Sequence, residues 1–230
     1  MNKLQQTYQK LLKEFGPQGW WPLSKGKPET KHHNGVPRNN GDRFEIIVGA
    51  ILTQNTAWTN VEKAIYNLNA AKTLNRSSIL KILHKKLAPL IKPAGYYNQK
   101  AERLKIVAGF FSDKKIKEIL KEKNIEKLRK ELLAVKGIGP ETCDSILLYA
   151  FDKPVFVIDA YTRRIFSRLK FLKEKDSYDD WQRLFMKNLK PDAKMFKEYH
   201  ALIVGLAKRS CKVKQECVRC SLKEYCDSDD

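Results

Sequence analysis

Four cysteines crowd the end of the chain, Cys211, Cys217, Cys220 and Cys226, spaced Cys-x5-Cys-x2-Cys-x5-Cys. Four thiolates that close together in sequence can share one metal centre, and the spacing suits either a structural zinc or a [4Fe–4S] cluster. A second chemical feature is Asp159, which follows the apolar run Val155-Phe156-Val157-Ile158 and opens a helical pattern. Such an aspartate can serve as a helix N-cap. It can equally be a fixed carboxylate that stabilises a developing positive charge or activates water. The third feature is aromatic: Trp20 and Trp21 precede Pro22 in a loop, and Trp58 lies four residues after Gln54. Exposing two adjacent indoles would leave a large apolar patch, so they either anchor the loop or wall a pocket for a flat ring.

These residues must be positioned by helices, because apolar positions recur at helical spacing nearly throughout and alternating strands are absent. The pattern predicts helices at about 3–15, 43–55, 60–71, 78–87, 99–111, 115–121, 125–135, 141–150, 160–170, 178–188 and 192–209. Thr59 with Glu62, and Ser177 with Asp180, carry the spacing of capping boxes. The Gly-, Pro- and Asn-rich stretch from Gly16 to Gly41 reads as a long loop. His32 and His33 within it are too poorly placed to be metal ligands. The lysine-rich segment 113–130 keeps Ile116, Ile119, Leu120, Ile125 and Leu128 at core spacing, so its charges form a solvated face. Cys143 reads as a small buried packing residue.

In "LRKELLAVKGIGPETCDSILLYA" one helix runs into Gly137-Ile138-Gly139, and Pro140 then opens another. Glycines permit positive φ and close approach of a second backbone, while the N–H groups at the new helix's start attract an anion such as a DNA phosphate. An ordinary helical corner would share this local pattern.

The partner is narrowed by charge: 45 basic against 26 acidic residues give a formal +19, which favours polyanions and nucleic acid above all. No stretch approaches the roughly 20 apolar residues that span a bilayer, and the N-terminus lacks a secretory apolar core. The expectation is a soluble, intracellular protein of the cytoplasm or nucleoid, with no membrane partner, in a reducing compartment where clustered cysteines bind metal rather than pair. An electron-carrying ferredoxin is disfavoured, since its cysteine spacings are shorter and it needs no basic helical body.

"VKGIGPETCDSIL" followed by "PVFVIDAYTRRIFSRL" resembles the helix-hairpin-helix and catalytic-aspartate segments of the endonuclease III superfamily of DNA glycosylases. "ILTQNT", "GYYNQKAERL" and the cysteine array resemble further family segments in the same order, although the first cysteine gap here holds five residues where the family has six. The resemblance implies an all-α, two-lobed fold. One lobe would comprise about 43–150, with the helix-hairpin-helix at about 125–150. The other would combine 1–42 with 151–230 and carry the aspartate and the cluster, with Asp159 and the hairpin lining the cleft between them.

The resemblance further implies a base-excision-repair enzyme that flips a damaged base from double-stranded DNA and hydrolyses its N-glycosidic bond, acting as a monomer. Asp159 would be catalytic. Gln54 would fill the gap left by the extruded nucleotide. Lys136, Gly137, Gly139, Glu141, Arg163, Lys212 and Lys214 would lie along the DNA, with Arg219 just beyond. The cysteines would bind a [4Fe–4S] cluster, with structural zinc as the alternative. Strand-cleaving members of the superfamily place a lysine two residues after the second hairpin glycine, where this chain has Glu141. A carboxylate cannot form a Schiff base, so the substitution implies a monofunctional enzyme. "WWP" with "LTQNT" is similar to the 3-methyladenine glycosylase branch, which would make Trp20 and Trp58 stacking faces, Trp21 and Pro22 a wall, and Lys208 a polar group near the pocket. Indoles attract a cationic alkylpurine more than a neutral base. Oxidised pyrimidines, mismatched uracil or thymine, and a non-catalytic helix-hairpin-helix DNA-binding protein are the alternatives.

Overall fold

The computed structural model describes residues 1–24, 30–31, 37–214 and 216–226. His32 and His33 lie outside the described residues, as does the side chain of Arg219. The helices are α1 (Lys3–Phe15), α2 (Asn40–Leu52), α3 (Trp58–Ala70), α4 (Arg76–Lys81), α5 (His84–Leu90), α6 (Tyr97–Phe110), α7 (Asp113–Lys121), α8 (Ile125–Leu133), α9 (Pro140–Ser145), α10 (Ala160–Arg168), α11 (Tyr178–Asn188) and α12 (Ala193–Arg209). A buried π-helical stretch, Ile146–Ala150, continues α9. Among the described residues there is no strand, only an isolated antiparallel bridge between Leu23 and Lys31. The fold is therefore all-α. No helix among the described residues is long and apolar enough to cross a membrane.

The chain divides into two compact units, one of residues 1–20 with 154–230 and one of 21–153. The sequence groups all of 1–42 with the C-terminal half, whereas residues 21–42 belong to the contiguous unit. Trp21 accounts for this placement. Its indole packs against Gly49, where an added Cβ would stand 3.1 Å from the ring, and its ring centroid lies 5.3 Å from that of Trp58 and 5.2 Å from that of Tyr149. Ser24 follows, its N–H donating to Glu45 Oε1.

Local chemistry explains where helices end differently from expectation. The segment expected at 78–87 is two helices, because Lys105 Nζ donates to the carbonyls of Ile79, Leu80 and Ile82 and so terminates α4. The helix expected to reach residue 55 stops at Leu52, whose carbonyl accepts from the buried Lys100 Nζ at 2.9 Å. Lys100 also donates to Ala94 O at 2.8 Å. Burial, then the neighbouring Arg103, lowers its pKa to about 8. Thr59 and Glu62 form no capping box: α3 starts after Ala57 without a side-chain cap, and Glu62 instead accepts from Thr30 Oγ1 at 2.7 Å. Ser177 does cap α11, accepting from the N–H of Asp180.

The discontinuous unit has an aromatic core. Phe156 stacks on Phe185 with centroids 4.1 Å apart and meets Phe196 and Tyr199 edge-on. All four are fully buried. Phe156→Ala should therefore cost about 3–5 kcal/mol, read as a drop in urea midpoint with an unchanged slope.

Candidate nucleic-acid and catalytic site

The apolar run Val155–Ile158 is buried but has no neighbouring strand, so its backbone polar groups need other partners. Side chains of α11 supply them. Gln182 Nε2 donates to the carbonyl of Phe156 at 2.8 Å, and the Ile158 N–H donates to Tyr178 Oη at 3.3 Å. The run is thereby fixed, and Asp159 emerges from it as the N-cap of α10. Its Oδ1 accepts from the Thr162 N–H at 2.7 Å and from Thr162 Oγ1 at 2.8 Å. Its Oδ2 lies 3.4 Å from His200 Nε2, on α12. Burial pushes the Asp159 pKa up, but the bond and charge of His200 and the two bonds from Thr162 outweigh it, so the carboxyl sits below the usual aspartate range. It is an anion at neutral pH, with 13% of its side chain exposed.

The same helix reaches the cysteines. Arg164 Nε and Nη2 donate to the carbonyl of Cys211 at 3.0 and 2.7 Å. Arg168 donates to Cys211 Sγ at 3.1 Å and to the carbonyls of Lys212 and Val213. Cys211, Cys217, Cys220 and Cys226 line one pocket, closed by Ile165, Leu169, Leu206 and Leu222. None of the four is joined in a disulfide. Burial and then, among the charges, the other three cysteines raise the Cys220 pKa. Four thiols converging on an apolar-walled pocket fit a thiolate-ligated centre, although no group of three or more ligands among the described residues already stands in coordinating positions. Cys143 is separate and buried, its thiol pushed up to about 12 by burial.

In the contiguous unit the hairpin differs from the sequence reading in one respect. Gly137 has φ +93, but Gly139 is an extended N-cap at φ −93, where a Cβ would meet nothing within 4 Å. Only Gly137 needs its glycine for conformation; Gly139 leaves open space over the turn. The Arg103 side chain lies beneath Gly137, 2.6 Å from where a Cβ would be. Gln54 Nε2 donates to the Gly137 carbonyl at 2.9 Å and to Thr142 Oγ1 at 3.0 Å, while its Oε1 accepts from Arg103. Arg129 makes two bonds, 2.8 and 3.2 Å, to the fully buried Asp144, tying α8 to α9. Lys136 is exposed and ion-paired to Glu102 at 2.7 Å. Glu141 is exposed on the first turn of α9.

The remaining candidates fall as follows. Trp21 and Pro22 are buried, and Trp58 is half-buried at the edge of Trp21. Trp20 belongs to the other unit and is half-buried there, where Lys208 is exposed on α12. Arg163 donates to the carbonyl of Asp176. Lys212 pairs with Glu216 at 2.7 Å, and Lys214 is exposed. Sequence reasoning missed His200, Arg103 and the Arg129–Asp144 pair. The signal for His200 was a polar residue on an otherwise apolar stripe of α12.

Residues 48–191 match the family described as HhH-GPD superfamily base excision DNA repair protein. A protein of Methanocaldococcus jannaschii, provisionally named a DNA repair glycosylase, is 47% identical over 222 residues, 95% of this chain and 93% of its own. Endonuclease III of Sulfolobus acidocaldarius is 30% identical over 187 residues, 80% of this chain and 81% of its own. The crystal structure of H. pylori 3-methyladenine DNA glycosylase bound to 1,N6-ethenoadenine is similar with a TM-score of 0.65 at 30% identity, covering 90% of this chain and 95% of that one.

Gly137→Ala should force both the φ +93 turn and the Arg103 stem to move. We expect a loss of about 1–3 kcal/mol in stability, seen in urea melts, with weaker binding to undamaged duplex in a fluorescence titration.

Proposed function

The chain belongs to the HhH-GPD superfamily of base excision DNA repair proteins and is a DNA glycosylase; we propose that it is monofunctional, acts as a monomer on duplex DNA, and removes alkylated purines such as 3-methyladenine. The observation that carries the catalytic assignment is Asp159, an ionised carboxylate held by Thr162 and His200 at the mouth of a buried segment. Cleavage of an N-glycosidic bond builds positive charge on the deoxyribose. A preorganised anion stabilises that charge without reorganising at the moment of reaction, and it can orient or deprotonate the attacking water.

Support for monofunctionality comes from Glu141, which offers no amine at the position where strand-cleaving relatives resemble one another in having lysine. The nearby Lys136 is engaged by Glu102. The alkylpurine reading rests on the tryptophans and on the 30% identity to a 3-methyladenine glycosylase whose structure holds an ethenoadenine. Trp20 and Trp58 would be the stacking faces, Trp21 and Pro22 a wall, and Lys208 a polar group near the base. Gln54 would leave its bonds to the hairpin to meet the orphaned base, since its amide can donate and accept. Phosphates would be met by the Gly137–Gly139 turn, Lys136, Arg163, Lys212 and Lys214. An endonuclease III-like preference for oxidised or mismatched pyrimidines is the second reading, favoured by the 30% identity to an endonuclease III.

Cys211, Cys217, Cys220 and Cys226 would hold a [4Fe–4S] cluster, with structural zinc as the alternative. When bound, the group crosslinks the tail to α10 and α12 rather than taking part in bond cleavage.

Duplexes carrying 3-methyladenine, 7-methylguanine, uracil, thymine glycol or mismatched thymine, incubated and then cleaved with alkali, test the assignment. We expect excision of the alkylpurines, loss of at least about 100-fold in Asp159→Asn, and no covalent adduct on borohydride treatment. Release of pyrimidines alone, or a trapped adduct, would refute the corresponding part. Anaerobically purified protein should be brown and contain iron. A colourless protein with one zinc per chain would establish the alternative.

A further inference from the structure

The capping role of Asp159 uses only one of its oxygens. Thr162 supplies both bonds to Oδ1, as an N-cap requires. Oδ2 has a different neighbour, His200 Nε2 at 3.4 Å. His200 is itself buried, with 7% of the residue exposed, between Tyr199 at 0% and Ala201 at 4%. It sits on the face of α12 that also buries Phe196, Ile203, Leu206 and Ala207. A leucine there would bury comparable surface without an imidazole having to leave water. Helix packing alone therefore does not call for a histidine at this position, and the polar group it faces is the Asp159 carboxylate.

We propose that His200 is a positioning residue for the Asp159 carboxylate. Its Nε2–H holds Oδ2 while Thr162 holds Oδ1, so both oxygens are fixed before substrate arrives. A carboxylate oxygen has two acceptor directions, so Oδ2 keeps one for water or for the sugar, through the part of the side chain that remains exposed. α12 can impose this geometry because it is anchored independently: Tyr199 Oη donates to the carbonyl of Leu4 at 2.8 Å, Arg209 pairs with Glu14, and Asp192 caps its N-terminus. The inference rests on Asp159 being the catalytic carboxylate.

The test compares His200→Leu, His200→Gln and His200→Asn in single-turnover excision of whichever lesion the wild-type protein releases, with the duplex Kd measured alongside. A glutamine amide nitrogen reaches the place of Nε2, whereas an asparagine amide reaches only that of Nδ1. We expect His200→Leu to slow excision about 10- to 100-fold, the range that misplacing a catalytic group produces, with Kd unchanged. His200→Gln should recover most of the rate and His200→Asn should not. If His200→Leu does not fold, the contrast between Gln and Asn carries the test alone. The proposal is overturned by a leucine variant within twofold of wild type, by equal rates for Gln and Asn, or by a loss confined to Kd. Full activity in Asp159→Asn would remove the catalytic assignment and this inference together. An inactive Asp159→Asn beside an unslowed His200→Leu would remove this inference alone.

Discussion

Desolvation opposes the charge on Asp159, and the discontinuous unit is arranged so that the charge persists. The carboxylate emerges from four buried apolar residues, a setting that by itself would raise its pKa. Thr162 and His200 reverse that tendency, and the N-terminus of α10 adds its partial positive charge. Each support depends on another element. Thr162 is placed by the helix it helps to start. His200 is placed by α12, which leans on α1 through Tyr199 and Leu4. The apolar run is held open by Gln182 and Tyr178 from α11. An extended segment without a sheet is unusual, and these two side chains are what make it tolerable to bury.

The contiguous unit meets a different constraint, which is to hold a glycine turn rigid while leaving its outer surface bare. Gly139 has nothing within reach of a Cβ, whereas Gly137 is supported from below by Arg103 and has its carbonyl bonded to Gln54. The Arg129–Asp144 pair then locks the two hairpin helices together. Removing one partner of such a buried pair is costly, because the other charge is left behind in a dry site. A hairpin fixed in this way would lose little conformational freedom on meeting any ligand, which is the benefit of preorganisation.

The helical class and most element positions were legible from periodicity, turn residues and family resemblance. Helix ends were less so, for a physical reason. Lys105 stopping α4 and Lys100 receiving the end of α2 are contacts between residues 23 to 48 positions apart, and local propensity carries no information about them. The same holds for Glu62, which has capping spacing to Thr59 but bonds Thr30 across the unit. His200 stood out only as a polar residue on an apolar stripe, a pattern that names no partner; only the fold brings it to Asp159. The cysteines were plain from spacing, but their link to the aspartate was not, since it runs through Arg164 and Arg168 on the far turns of α10.

That link bears on what the tail contributes. α10 spans nine residues, about 13 Å at 1.5 Å per residue, with Asp159 capping one end and Arg168 bonded to Cys211 Sγ at the other. A helix this short is marginal alone and depends on being held at its ends. If the four thiolates shared a centre, their mutual repulsion would be neutralised, and the backbone carbonyls of Cys211, Lys212 and Val213 would be held as a fixed set of acceptors for the two arginines. The arginines would then anchor the C-terminal turns of α10, and so the orientation of its N-cap. The basic residues Lys212 and Lys214 lie on that same stretch of backbone. A centre with no part in bond cleavage would thus set both where the tail's cations stand and how firmly the carboxylate is aimed.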